Sequence, residues 1–193
     1  MLPFPARPPA PWRGPAHVPG AHTRGGNAMN RTRAGLLAGA SRAFAEHGLR
    51  RSTMQSVAAA AGVAKATLYN HFRTKDEVAA ELLANELDRL AALAAALPTA
   101  QALAALSDEM GAHPVLRRLA ETEPETLTAM LAVGPERWSE LTERLAAALR
   151  IDDDGAQIVA RWLIGVAMQP GRSTTRHRHA ARLAAVLPPL PAA

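Results

Sequence analysis

The sequence predicts an all-α protein of two parts, a small helical domain followed by a larger helical bundle. Alanine and leucine dominate its 193 residues, only 4% of them are aromatic, and long stretches lack both proline and runs of β-branched residues. This composition favours helix over strand. Apolar residues also recur at steps of three and four, which is the spacing of a helix with one buried face.

The first 28 residues differ from the rest of the chain. They are rich in proline, arginine, glycine and histidine and show no hydrophobic periodicity. Residues 1–28 are predicted to be a disordered tail, because they cannot bury enough apolar surface to offset the entropy lost on ordering. Two interpretations stay open: translation begins at Met29 and the tail is inert or an artefact, or the tail is a basic arm that follows nucleic acid.

Charge is unevenly distributed along the chain. Residues 1–78 contain 11 Arg and Lys against 3 Asp and Glu, a net charge of +8, whereas residues 79–193 contain 11 against 14, a net charge of −3. The basic half is where an anionic partner is expected to bind. The chain has no cysteine, which excludes disulfides and thiolate chemistry. No apolar run approaches the roughly 20 residues needed to span a bilayer, so we expect a soluble, cytoplasmic protein.

The first two helices have clear ends. Residues 30–47 carry apolar side chains at helical spacing, and Gly48 then supplies the left-handed conformation that ends many helices. Either Ser52 or Thr53 is a good N-cap for the second helix, because a side-chain oxygen there accepts from a free backbone N–H. Gly62 ends that helix.

The second and third helices are predicted to form a helix-turn-helix. In this motif two short helices cross steeply, so that the second lies in the major groove while the first crosses the backbone. The crossing needs a small residue, which is Ala58, and a glycine in the turn, which is Gly62. The third helix is predicted over residues 64–72. The residues that lock the pair together are Val57, Val63 and Leu68.

The polar residues of the third helix suit DNA. Hydroxyl, amide, imidazole and ammonium groups can donate to phosphate oxygens or base edges. Those of this helix are Lys65, Thr67, Tyr69, Asn70 and His71. Thr74 or its neighbour is expected to cap a long fourth helix that Pro98 ends. Lys75 falls in its first turn, where free N–H groups and the helix dipole favour a phosphate.

The stretch from residue 53 to residue 77, TMQSVAAAAGVAKATLYNHFRTKDE, resembles the signature of the tetracycline-repressor (TetR) family. The resemblance spans residues 32–83 and is far more specific than a generic helix-turn-helix. The chain departs from the family pattern mildly, and none of these departures removes an expected DNA contact. They are Ala59 and Ala60 in place of a more polar pair, Ala66 in place of glycine, and Val78 in place of leucine.

The resemblance implies an amino-terminal three-helix DNA-binding domain over residues 29–76. It also implies a carboxyl-terminal helical domain over residues 77–188 that binds an effector and dimerises, followed by a frayed tail at residues 189–193. A protein of this kind is a transcription regulator that binds a double-stranded DNA operator as a homodimer. An unknown small-molecule effector would release it, as in a repressor.

The resemblance also implies which residues contact DNA. The hydroxyl-bearing and cationic residues would bind phosphate or bases, Tyr69 and His71 would clamp the backbone, and Asn70 is a candidate for reading a base edge. The implied contacts are Thr53, Lys65, Thr67, Tyr69, Asn70, His71 and Lys75. Leu68 and Phe72, in contrast, are expected to be core.

The carboxyl-terminal half has fewer landmarks. Glycine and proline divide it into predicted helices at residues 100–111, 114–120, 124–132, 135–150, 153–169 and 176–187. The last two carry apolar stripes that face either a partner copy or their own core. Large adaptable side chains are candidates for a ligand pocket, although such residues equally form plain core. These are Met110, Met130, Trp138 and Trp162.

No metal or cofactor site is predicted. His177 and His179 have no acid or cysteine at ligand spacing. Residues 152–155, DDDG, resemble a fragment of a calcium loop but lack its later ligands, so a helix cap explains them better.

Two other function classes fit the sequence less well. An enzyme is disfavoured, because the sequence shows no Ser-His-Asp spacing, paired carboxylates on a shared face, HExxH or phosphate-binding glycine loop. A non-specific DNA-coating protein is disfavoured by the long acidic helical half that it would not need.

Overall fold

The computed structural model describes the backbone of residues 24–187 and the side chains of residues 32–187. This part of the chain is helical and contains no strand, as predicted. Its helices are α1 (Arg24–His47), α2 (Met54–Ala61), α3 (Lys65–Tyr69), α4 (Lys75–Ala95), α5 (Thr99–Ala112), α6 (Pro114–Thr122), α7 (Pro124–Leu131), α8 (Pro135–Leu149), α9 (Asp153–Met168) and α10 (Ser173–Val186). None of these helices pairs sufficient length with the apolar composition needed to traverse a bilayer.

Three helix boundaries differ from the sequence prediction by three residues or more. Helix α1 begins at Arg24, six residues before the predicted start, so residues 24–28 of the predicted tail are helical. The rest of that tail and the tail at residues 189–193 lie outside the described residues. Helix α10 begins at Ser173 rather than at residue 176. Helix α3 ends at Tyr69, and the chain continues in hydrogen-bonded turns that carry Phe72 into the core.

The predicted caps are present. Thr53 caps α2, and its side chain accepts from the N–H of Ser56 at 3.1 Å. Thr74 caps α4 and accepts from Glu77 N at 3.1 Å. Asp152 caps α9, since its side chain accepts a 2.8 Å hydrogen bond from Gly155 N. The acidic run at residues 152–154 thus begins a helix, as predicted.

The buried apolar residues form two clusters. The first joins α1, α2 and α3 to the start of α4, and also to α6 and α7 of the carboxyl-terminal half. The second joins the end of α4 to α5, α9 and α10. The predicted DNA-binding domain is therefore not free of the rest of the chain, because Leu119 and Leu127 belong to the same cluster as Phe44.

A close approach fixes α2 against α1. A Cβ atom at Gly39 would lie 2.5 Å from the Cα of Ala61, so only glycine permits this crossing. The guanidinium of Arg42 donates to the Ala60 carbonyl at 2.6 Å and closes the end of α2. Arg33 pairs with Glu81 of α4 and lies over the Phe72 ring, 4.7 Å from its centroid. Polar and apolar contacts thus hold α2 and the turn after α3 against α1 and α4.

A polar cluster joins α5 to α10. Asp108 accepts from the Arg176 guanidinium at 2.7 Å, and its other oxygen lies 2.6 Å from His177 Nε2. The acidic partner of His177 therefore comes from 69 residues away in the chain. No group of three or more metal-ligating side chains comes together within the described part of the chain.

Candidate nucleic-acid interface

Helix α2 and helix α3 form the predicted helix-turn-helix. Gly62 has a φ of 70°, and its N–H bonds the Ala59 carbonyl at 3.0 Å. The N–H of Val63 then bonds the Ala58 carbonyl at 3.0 Å. Ala58 is buried at the crossing, and Leu68 of α3 is fully buried beneath it. The spacing of small, glycine and apolar residues thus produces the turn predicted from the sequence.

Helix α3 separates its apolar and polar residues. Leu68 and Phe72 are core, as expected, whereas Lys65, Tyr69 and Asn70 are exposed. Tyr69 leaves 45% of its surface exposed, which makes it one of few large aromatic or aliphatic residues on this surface. Lys65 Nζ lies 5.6 Å from the centroid of the Tyr69 ring, so the ammonium makes a cation–π contact with this ring.

Three of the seven expected contacts are half-buried, namely Thr67, His71 and Lys75. Thr67 and His71 lie between the exposed row and the core. Each can still offer a polar tip at the edge of the α3 surface. The helix itself has no side-chain N-cap, since Ala64 precedes it. The backbone N–H groups of its first turn therefore donate no hydrogen bond to a capping side chain.

Thr53 lies at the amino-terminal end of α2, and its side-chain oxygen already accepts a hydrogen bond. Its Oγ1 accepts from Ser56 N, while Ser56 Oγ accepts from Thr53 N at 2.9 Å, so the two form a reciprocal capping box. The hydroxyl hydrogen of Thr53 is left to donate. No acidic residue stands in the first turn of α2, so an approaching phosphate meets no like charge from that turn.

Lys75 is placed differently from the expectation. Its ammonium donates to the Leu49 carbonyl at 2.7 Å and to the Arg50 carbonyl at 3.3 Å. The side chain thus closes the turn between α1 and α2 from the start of α4, and one N–H remains for another acceptor. The side chain therefore holds the turn, and the expected phosphate contact of Lys75 stays a prediction.

Two arginines beside Thr53 were not singled out from the sequence. Arg50 and Arg51 lie three and two residues before the α2 cap, and both side chains are exposed. The guanidinium of Arg50 lies 3.8 Å from the Glu125 carboxylate. Arg51 adds positive charge near the amino-terminal end of α2. The sequence signal for both was a pair of cations within three residues of an N-cap, where a phosphate is favoured.

The turn that carries these arginines is also bonded to the carboxyl-terminal half. Glu123, between α6 and α7, is buried, and both of its carboxylate oxygens accept from the N–H of Arg50 at 3.0 Å. Gly48 faces the same carboxylate with a φ of 79°, and a Cβ there would lie 2.2 Å from Glu123 Oε1. We call this arrangement the Glu123 contact. Nothing in the local sequence pattern predicted it.

A cavity of about 190 Å³ lies beside this contact. Its wall runs from Phe44 and Leu49 at the end of α1, along α4, to α6 and α7 and then to α8 and α9. Apolar side chains form nearly all of this wall. Of the residues that line it, the polar or charged ones are Glu86, His113 and Arg144.

The cavity contains half of the predicted pocket residues. Met110 and Met130 line it. Trp138 and Trp162 do not line it, and which residues contact an effector stays a prediction. The Trp138 ring instead stacks beneath the Arg161 guanidinium at 4.6 Å, and Trp162 packs against the second apolar cluster. Size and apolarity identified suitable side chains but not the direction in which each helix turns them.

Comparison with known proteins supports the helix-turn-helix. Residues 36–82 match the family model described as bacterial regulatory proteins, tetR family. Over 62 residues the chain is 44% identical to the HTH-type transcriptional repressor KstR2 of Mycobacterium tuberculosis, a match that covers 32% of this chain and 31% of that protein. It is 40% identical over 72 residues to KstR2 of Rhodococcus jostii, covering 37% of this chain and 34% of the relative.

These matches span about a third of the length of the curated relatives. The fold similarity extends further. The TetR-family repressor AlkX of Dietzia sp., whose crystal structure describes it as implicated in biodegradation of n-alkanes, superposes with a TM-score of 0.59 at 20% identity. That match covers 79% of this chain and 93% of AlkX. The chain is therefore similar to the tetR family of bacterial regulatory proteins over residues 36–82, and its overall fold resembles that of AlkX.

Proposed function

We propose that this protein is a sequence-specific DNA-binding transcription regulator, acting as a repressor that a small molecule releases. The observation that carries the proposal is the surface of α3. Its apolar side chains are buried beneath it, while Lys65, Tyr69 and Asn70 project together from a motif rigidly fixed to α1 and α4. This exposed polar surface is not needed to bury apolar residues of the chain, and its hydrogen-bonding side chains suit the groove of a DNA duplex.

In the proposed complex α3 lies in the major groove. Asn70 is the candidate for a base edge, and Lys65 and Tyr69 bind the adjacent backbone. Thr53 donates its free hydroxyl to a phosphate at the amino-terminal end of α2, with Arg51 beside it. Phosphate contacts set the position of the motif, and the α3 side chains read the sequence.

We propose a homodimer formed through α9 and α10. Exposed large apolar residues lie on these two helices, with 52% of the surface of Ile158, 38% of Met168 and 74% of Val186 exposed. Gly165 lies on the same side of α9 as Ile158, and a Cβ built there meets no atom within 4 Å. A small residue on an exposed apolar face allows another helix to approach closely, and a two-fold pair of reading heads matches two half-sites.

The cavity is the proposed effector site. Its wall includes the end of α1 and the α6 and α7 helices whose junction holds Glu123, so a bound molecule lies next to the Glu123 contact. A ligand changes operator affinity only if it binds the two states unequally. Moving α6 or α7 would change the position of the α1–α2 turn, and with it the position of α2 and α3. The KstR2 relatives are named repressors, which supports the same direction of control.

The test is a fluorescence anisotropy titration of the full chain against its own upstream DNA and a scrambled duplex. We expect tight binding to the first DNA only, and loss of that binding in Tyr69→Ala. Gln101→Ala, an exposed change on α5 away from the motif, is the matched control and should bind like the wild type. Equal affinity for both duplexes would point to a non-specific DNA binder, and no binding at low salt would overturn the proposal.

A further inference from the structure

The few polar groups of the cavity lie together at one place. His113, at the start of α6, and Glu86 of α4 both line the wall, and His113 Nε2 is 3.8 Å from Glu86 Oε1. That separation is too long for a direct hydrogen bond. The rest of the wall around them is apolar, so a ligand in the cavity would meet its specific polar partners here.

The hydrogen-bonding roles of these two groups follow from their other contacts. His113 Nδ1 accepts from the backbone N–H of Leu116 at 3.4 Å, which leaves the ring hydrogen on Nε2. Burial lowers the pKa of His113, so the ring is neutral at neutral pH. The hydrogen bonds from the Arg89 guanidinium, at 2.7 and 3.0 Å, lower the pKa of Glu86 and keep it ionised. One donor and one acceptor therefore face the same point.

A hydroxyl group fits this pair better than other polar groups. Its single oxygen can accept from the His113 Nε2–H and donate to Glu86, at about 2.8 Å from each. A carboxylate could accept from His113 but would lie against the Glu86 charge. An ammonium could donate to Glu86 but would turn a hydrogen toward the Nε2–H.

The surrounding charges also disfavour an anionic ligand. Arg89 is shared between Glu86 and Glu109, which leaves one negative charge in excess in that group. Arg144, the other charged residue of the wall, is shared between Asp88 and Glu140, again with one negative charge in excess. These two guanidinium groups are thus already paired with carboxylates, which leaves them less available to a ligand carboxylate.

We propose that the cavity binds an apolar molecule that carries a hydroxyl group, with the hydroxyl between His113 and Glu86. This inference rests on the proposed function, because it names the chemical class of the effector for the same cavity. It selects apolar alcohols over acids and amines of the same carbon skeleton.

The experiment measures binding of 1-octanol, octanoate and octylamine to the full chain without DNA, through displacement of the uncharged fluorophore N-phenyl-1-naphthylamine. We expect 1-octanol to bind at least about tenfold more tightly than either charged probe, since it gains two hydrogen bonds at no cost in repulsion. His113→Asn keeps a side-chain cap for α6 but removes the Nε2–H, and should weaken 1-octanol binding about fivefold.

Two matched variants test the part played by charge. Glu86→Gln should raise octanoate affinity and reduce the preference for the alcohol, whereas Glu109→Gln, which also removes a partner of Arg89 but does not line the cavity, should preserve that preference. Ala91→Phe fills the cavity from α4 and should abolish binding of all three probes. Met110→Phe is a second filling variant from α5 with the same expected result.

Octanoate binding as tight as 1-octanol binding would overturn the inference, as would equal behaviour of the two glutamate variants or undiminished binding in both filling variants. Because these measurements contain no DNA, they are independent of the operator titration. Failure of the chain to bind its operator would refute the proposed regulatory function. Equal affinities of the three octyl probes would refute only the proposed alcohol site.

Discussion

The Glu123 contact gives a prediction that can be worked out in free energies of unfolding. Gly48→Ala places a non-glycine residue at a φ of 79°, which costs about 1–2 kcal/mol, and its Cβ would lie 2.2 Å from Glu123 Oε1. The carboxylate must then leave the Arg50 N–H, and a hydrogen bond to a charged group is worth about 1.5–3 kcal/mol. The expected total is about 2.5–5 kcal/mol.

In a Glu123→Ala background the same glycine change meets no carboxylate. It should then cost only the backbone strain of about 1–2 kcal/mol, so the two changes should be coupled by about 1.5–3 kcal/mol. The assay is urea unfolding of the wild type, the two single variants and the double variant. Gly62→Ala is the matched control, because Gly62 has a φ of 70° but no atom within 4 Å of a built Cβ.

The control should cost about 1–2 kcal/mol in either background and should add to Glu123→Ala within about 0.5 kcal/mol. Equal costs of Gly48→Ala with and without Glu123 would refute the contact. The same variants have a functional readout, since Glu123→Ala should reduce the effect of a bound ligand on operator affinity while leaving ligand binding itself intact.

Three further predictions concern individual residues. Lys65→Ala should lower the salt slope of operator binding by about one unit, whereas Lys75→Ala should lower the free energy of unfolding by about 1–3 kcal/mol and change the slope less, because its ammonium holds the α1–α2 turn. Equal slope changes would contradict these separate roles. Gly165→Leu should halve the mass measured by analytical ultracentrifugation without lowering the unfolding midpoint at low protein concentration, since its Cβ meets nothing within the subunit; a dimer that persists would place the interface elsewhere. Burial lowers the pKa of His113 below its ordinary 6.5, so the unfolded chain takes up that proton first and stability falls as the pH drops below about 6.5. His113→Asn should reduce this loss, measured as the difference between urea midpoints at pH 7.5 and pH 5.5, and an unchanged difference would show that the ring is not buried as a neutral group.

The local features of the chain were predictable from its sequence. The caps at Thr53, Thr74 and Asp152 and the left-handed glycines at Gly48 and Gly62 stand where the pattern placed them. These features depend on side-chain and backbone geometry within a few residues, and such short-range preferences are readable without the fold. The helix-turn-helix was predictable for the same reason, because its packing residues lie within one short segment.

Boundaries at the helix ends were less predictable. The sequence alone did not show that α1 begins at Arg24, because its first residues lack an apolar stripe. Nor did it show that α3 ends at Tyr69, since the turns that follow keep helix-like hydrogen bonds, with Phe72 N bonded to the Leu68 carbonyl at 2.9 Å. At such ends, several conformations satisfy the backbone almost equally well.

What the sequence determined by itself was the all-helical class of the fold, the caps and turns of its amino-terminal helices, and which short motif suits DNA. Only the tertiary structure decided what each buried or charged side chain meets. It directs Lys75 to the carbonyls of the α1–α2 turn, brings Asp108 to His177, and turns Met110 into the cavity but Trp138 away from it. The reason is physical: helical periodicity is set by neighbours three or four residues away, whereas Glu123 meets Arg50 across 73 residues, and that distance is closed only when the helices pack.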